Sequence, residues 1–226
     1  MAGERVALSH RIAARWGGMV GNYGRMIVAQ ASIEQIVEQP FPPGPCIWVG
    51  WHGSVLITLA LHLRLRQRPV TGFSPVGFMG ASMKAWLAVF NVDPVPITGT
   101  TFDGIMLRRL RKAVAAGNDI VIAADGPAGP RWVARPGAIW LGAAARVPVI
   151  PVGIAAFPAI ALPRWDRHLV PLPGARVAIA VGAPFPSDID PRSPQAASLL
   201  QSTIDRLTET ARASLRRAGV REARQS

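Results

Sequence analysis

Four groups in this chain could do chemistry: His52, the Thr98–Thr101 turn, Asp125 and Arg131. His52 follows a short apolar run, Cys46–Gly50, and precedes a helical pattern. That places an imidazole where a strand ends, the usual mouth of an open α/β site and a good place for a proton acceptor. A core or capping histidine is the plain alternative. Asp125 opens the loop Asp125-Gly126-Pro127-Ala128-Gly129-Pro130-Arg131, directly after the apolar strand pattern Asp119–Ala124. Gly and Pro make a stiff frame that holds one carboxylate and one guanidinium in place. A guanidinium so held suits bidentate binding of a phosphate. Thr98-Gly99-Thr100-Thr101 precedes a helix with a basic side, Arg108, Arg109, Arg111 and Lys112; free N–H groups and hydroxyls at such a start can hold an anion, or simply cap the helix. Together these groups fit one reaction, in which a histidine takes the proton of an acceptor hydroxyl that then attacks a thioester carbonyl.

Other chemistries lack their residues. No CxxC, HExxH or Cys/His cluster exists, so the spacing points to no metal. There is no dinucleotide fingerprint, P-loop lysine or serine-hydrolase elbow. The single cysteine, Cys46, lies in an apolar strand and has no internal disulfide partner, which fits a reduced compartment.

The elements that must position these groups alternate along the chain. Strand patterns fall at 46–50, 70–73, 92–97, 119–124, 147–154 and 176–181, with helical patterns between most of them. Two prolines in 92–97 mark an edge strand. Residues 155–172 read as irregular. The spacing predicts helices from about Tyr23 to Glu38, after His52, over 81–90, 105–116 and 137–145, and over 195–217. Arg64, Arg66 and Arg68 are expected at a solvated or charged surface. The fold class is α/β: a single domain with a mixed, mostly parallel sheet and helices on both faces. Residues 1–39 form an N-terminal helical segment that covers the sheet or rests at a bilayer interface. Residues 40–219 form the α/β domain, and 220–226 a basic frayed tail.

At 226 residues, half of them apolar, the chain can bury a sizeable core, which excludes general disorder. Twenty-five Lys and Arg against 13 Asp and Glu leave a formal charge of +12, favouring anionic partners: lipid headgroups, phosphorylated substrates or nucleic acid. No cleavable signal pattern or bilayer-length apolar run is visible. The basic residues are spread over several segments without an aromatic stripe, which counts against nucleic acid.

From about Pro45 to Pro184 the chain resembles the DUF374 branch of the lysophospholipid acyltransferase superfamily. The resemblance is carried by WHG at 51–53, GTT at 99–101, ADGPAGPRW at 124–132, the Pro/Gly helix start at 136–137, VPVIPVG at 147–153 and WDRHLVPLPGARVAIAVGAPF at 165–185. It implies a glycerol-3-phosphate acyltransferase-like fold at the cytoplasmic face of the inner membrane, held peripherally. It implies transfer of a fatty acyl group from acyl-CoA or acyl-ACP, as cosubstrate, to the hydroxyl of a lysophospholipid or related phosphorylated lipid. His52 matches the histidine of the first motif, Thr98–Thr101 the acceptor block, Asp125–Pro130 the third block and Pro151 the proline of the fourth. On this reading His52 and Asp125 are catalytic. Thr98, Gly99, Thr100, Thr101, Arg108, Arg131 and Arg135 bind acceptor or phosphate. Gly126, Pro127, Gly129, Pro130 and Pro151 shape the loops. No metal and no bound cofactor are expected. The wider superfamily has an aspartate five residues after the histidine, where this chain has Ile57, so the usual orienter of His52 is missing. Asp125, Asp103 or a backbone carbonyl are the substitutes the sequence offers. The missing aspartate also motivates an alternative, an inactive lipid-binding or membrane-associated scaffold.

Overall fold

A computed structural model describes residues 2–97 and 104–219, with side chains from Ala7 onward. In chain order the elements are α1 (Ala2–Gln30), β1 (Ser32–Val37), β2 (Ile47–Gly50), a 3-10 turn (His52–Ser54), α2 (Val55–Leu65), β3 (Val70–Pro75), α3 (Gly77–Val89) and β4 (Val92–Ile97). They continue with α4 (Gly104–Ala115), β5 (Asp119–Ala123), α5 (Gly137–Ala145), β6 (Val149–Ala161), β7 (Leu169–Val181) and α6 (Pro194–Arg217). The seven strands form one sheet in the order β1-β7-β6-β2-β5-β3-β4. All neighbours are parallel except β6 and β7, which form an antiparallel arm.

The period-2 alternation of β2 sorts its residues between two cores. Trp48 joins α1, α2 and α3 residues such as Val28, Leu56 and Leu87 on one face. Ile47 and Val49 join Leu110, Leu141, Leu200 and Ile204 of α4, α5 and α6 on the other. Leu200, Ile204, Leu207 and Leu215 of α6 are all buried, each worth about 1.5–3 kcal/mol. The small Ala155, Ala178 and Ala180 of β6 and β7 let α6 lie close. Its start is built locally: Ser193 accepts the Ala196 N–H, and Pro194 sits where its missing N–H costs nothing.

Three expectations change. The predicted helix over 23–38 ends at Gln30, and Ser32–Val37 is instead an edge strand paired with β7. Its β-branched Ile33 and Ile36 served either pattern, and the open edge of β7 decided between them. The stretch 155–172 is not irregular: β6 runs on to Ala161 and β7 starts at Leu169, as one long arm with a register shift between Phe157 and Ala159. Arg66 does not face solvent. It donates to Asp119 and to the carbonyls of Pro42 and Gly44, pinning the proline-rich loop beneath the sheet. The edge position of β4 agrees with its prolines.

At the start of β5, Asp119 gathers four donors: the Cys46 N–H, the Trp48 indole, His62 Nε2 and Arg66 Nε, at 2.8–3.1 Å. Burial opposes its charge, but His62, Arg66 and the Cys46 N–H outweigh burial and hold the carboxyl well below the usual range. The Cys46 thiol is pushed up to about 12, by burial first and by Asp119 second, so it is inert packing.

Candidate active site

Neighbouring strands β2 and β5 send their chains in opposite directions. From β2 the chain passes through α2 on one face to β3. From β5 it passes through α5 on the other face to β6. Such a divergence opens a crevice at the carboxyl ends of the two strands. Register then brings the first two groups together. Gly50 stands opposite Ala123, and the Ala124 N–H donates to Gly50 O, so His52 and Asp125 both lie two residues beyond a matched pair.

Asp125 is fully buried and does not reach the imidazole. Its Oδ1 accepts the backbone N–H of His52 at 2.8 Å and its Oδ2 that of Trp132 at 3.0 Å. With both oxygens committed to backbone donors, it ties the His52 turn to the Gly/Pro loop. The carboxylate thus holds the turn and the loop together and does not touch the ring. Gly126 completes the fit: a Cβ there would stand 2.9 Å from His52 Cδ2.

The orienter of His52 comes from elsewhere. The tip of the β6–β7 arm folds back over the crevice, and Asp166 Oδ2 lies 2.7 Å from His52 Nδ1. Asp125, Asp103 and a backbone carbonyl were the substitutes the sequence offered, and the partner is none of these. Proximity is enforced by Gly53, where a Cβ would stand 2.4 Å from Asp166 O. Trp165 packs on the imidazole with ring centroids 5.0 Å apart. Asp166 is also approached by His168 Nδ1 and Arg164 Nε, each at 3.4 Å. Burial disfavours its charge. Hydrogen bonds from His168 and His52, with the charges of His52 and Arg164, overcome that and hold the carboxyl below the usual range. The His52 side chain keeps 19% of its surface exposed while that of Asp166 keeps none. An Nδ1–H held by the carboxylate leaves the ring's lone pair on Nε2.

The remaining predicted residues divide. Arg131 stacks over Trp132 at 3.7 Å, and its buried Nε has no hydrogen-bond partner among the described residues. Burial, then repulsion from Arg167 and Arg212, lowers its pKa, while Asp125 and Asp166 oppose that. Arg167 and Arg212 thus lie near enough to Arg131 for their charges to be felt. Arg135 donates one guanidinium N–H to the Gly129 carbonyl and its backbone N–H to Ala124 O, so it braces the loop. Pro151 lies inside β6 opposite Val49 and accepts the Gly182 N–H, a strand residue beneath the site. Arg108 is exposed on α4, and nothing among the described residues ties it to His52. Thr98, Gly99, Thr100, Thr101 and Asp103 lie outside the described residues. Trp165, Asp166, Arg167 and His168 were missed as site residues although WDRH was noted as a landmark. A carboxylate flanked by Trp and His in a short segment was the available signal.

No family model matches the chain, and no curated protein sequence does. Among solved structures the fold is similar to the crystal structure of the 1-acyl-sn-glycerophosphate (LPA) acyltransferase, PlsC, from Thermotoga maritima. The TM-score is 0.54 at 16% identity, covering 86% of this chain and 79% of that one. The fold is therefore the PlsC-type α/β fold.

Proposed function

We propose that this protein is an acyltransferase that moves a fatty acyl group from acyl-CoA or acyl-ACP to the hydroxyl of a lysophospholipid or related phosphorylated lipid. The observation that carries the reading is the 2.7 Å contact between His52 Nδ1 and buried Asp166, at the crevice of a PlsC-type fold. In this mechanism His52 Nε2 takes the acceptor's hydroxyl proton while Asp166 stabilises the forming imidazolium. The oxygen attacks the thioester carbonyl. The tetrahedral intermediate then expels the thiolate, which receives the proton from Nε2. Arg131, with Arg167 and Arg212 near it, supplies the positive field for the acceptor's phosphate. The chain belongs, on this reading, to the wider lysophospholipid acyltransferase superfamily.

A membrane seat fits the same reading. Leu8, Ile12, Trp16, Met19 and Val20 form an exposed apolar stripe along α1, beside exposed Arg11 and Arg15. That combination suits an anionic bilayer surface. No helix is long and apolar enough to cross a membrane among the described residues.

Purified protein assayed with acyl-CoA and acyl-ACP against a panel of lysophospholipids tests the proposal. Transfer that disappears in His52→Ala supports it. Transfer undiminished in that variant removes the base. Lipid that copurifies without turnover on any acceptor supports the scaffold alternative instead.

A further inference from the structure

We propose that His52, Asp166 and His168 form an exchangeable site for a transition-metal dication of the zinc type, and that filling it turns the base off. The second half rests on the acyl-transfer reading; the first does not. One nitrogen from each histidine and one carboxylate oxygen all lie within 4.8 Å of one another. Two imidazoles and a carboxylate are a donor set suited to zinc, cobalt or nickel, with a fourth position left open. Bonds of about 2.0–2.1 Å in a tetrahedron put donor atoms roughly 3.3 Å apart. The contacts present are 2.7 Å for His52–Asp166 and 3.4 Å for His168–Asp166. The third pair, His52 with His168, lies within 4.8 Å, so the two imidazoles must draw together by at most about 1.5 Å to complete the site.

Binding there reverses the tautomer that catalysis needs. With the metal on His52 Nδ1, the ring proton moves to Nε2 and the imidazole stays neutral. The nitrogen facing the acceptor is then a donor and cannot take a proton. The surroundings argue for exchange over permanent residence: Arg164 lies 3.4 Å from Asp166 Oδ1, and Arg131 and Arg167 add positive charge nearby. A dication feels that repulsion, so its affinity falls below that of a structural site.

The test uses the full chain without a histidine tag, titrated with zinc chloride in a calorimeter and with cobalt chloride in the spectrophotometer. One zinc per chain and visible tetrahedral cobalt bands are expected. His168→Ala and His168→Asn should each weaken zinc by at least the roughly tenfold that losing even an outer-shell partner costs. Unfolding curves confirm that these variants fold. Absent 1:1 binding, or affinity unchanged in a folded His168 variant, overturns the site. In the transfer assay zinc should inhibit along the binding curve, and a chelator should restore the rate. Zinc bound with undiminished transfer overturns the switch. Protein inactive with every acceptor overturns the acyl-transfer reading, and the titrations still decide the metal site.

Discussion

Replacing Asp166 by Asn tests the central contact directly. The change keeps the shape of the side chain and removes its charge. In the proposed mechanism His52 becomes an imidazolium in the transition state, its Nδ1 lies 2.7 Å from Asp166 Oδ2, and both charges are delocalised, so their centres sit about 4 Å apart. At the effective dielectric of about 20 that describes such sites, the attraction is about 4 kcal/mol. Asn returns part of this through its amide oxygen, which still accepts the Nδ1–H. Each 1.36 kcal/mol is tenfold in rate, so kcat should fall roughly a hundredfold to a thousandfold. Because the charge forms only as the proton moves, kcat and kcat/KM should fall together with KM little changed. The assay is thiol release from acyl-CoA with an accepted lysophospholipid, beside a thermal unfolding curve. A folded variant that loses less than tenfold would refute the reasoning: the carboxylate would then be packing, and His52 would find its tautomer elsewhere.

Asp119→Asn leaves Arg66 buried without its counter-charge and places an amide against His62, so stability should drop by about 3–5 kcal/mol, read by urea unfolding at neutral pH. The folded carboxyl is held below its unfolded value, so its contribution is present above about pH 4 and is lost as pH falls toward the folded pKa; the gap between wild type and variant should therefore narrow in acid, and a constant gap would show that the charge is not what matters. Gly126→Ala puts a Cβ 2.9 Å from His52 Cδ2, and an imidazole displaced by up to an ångström should lose about a hundredfold in rate while the fold survives; an unchanged rate would mean the loop does not set the ring. Trp16→Ser and Met19→Ser remove apolar groups that are 62% and 63% exposed, and each should weaken binding to anionic vesicles by about tenfold in a flotation assay, whereas equal binding would place the membrane face elsewhere.

The alternating pattern of the chain was enough for the α/β class, because period-2 and period-3.6 spacing follow from local geometry. The proline-marked edge strand and the histidine at a strand end were legible for the same reason. Ser32–Val37 was not, since its two isoleucines three apart suit a helix face as well as a strand. Only the unpaired edge of β7 chose between them. Arg66 looked solvated beside Arg64 and Arg68. Its burial depends on Asp119, 53 positions away.

The site divides in the same way. Asp125 was visible because Gly and Pro flank it, and register explains why it meets the backbone of His52 and not the ring. Asp166 was hidden by distance along the chain: 114 positions separate it from His52. A short motif reports contacts made within one turn or loop. The pairing of His52 with Asp166, and the approach of His168 to the same oxygen, exist only because an antiparallel arm extends past its neighbours and folds its tip back across the mouth of the crevice. Residue types put an imidazole at a strand end, and the three-dimensional path of β6 and β7 decided which carboxylate holds it.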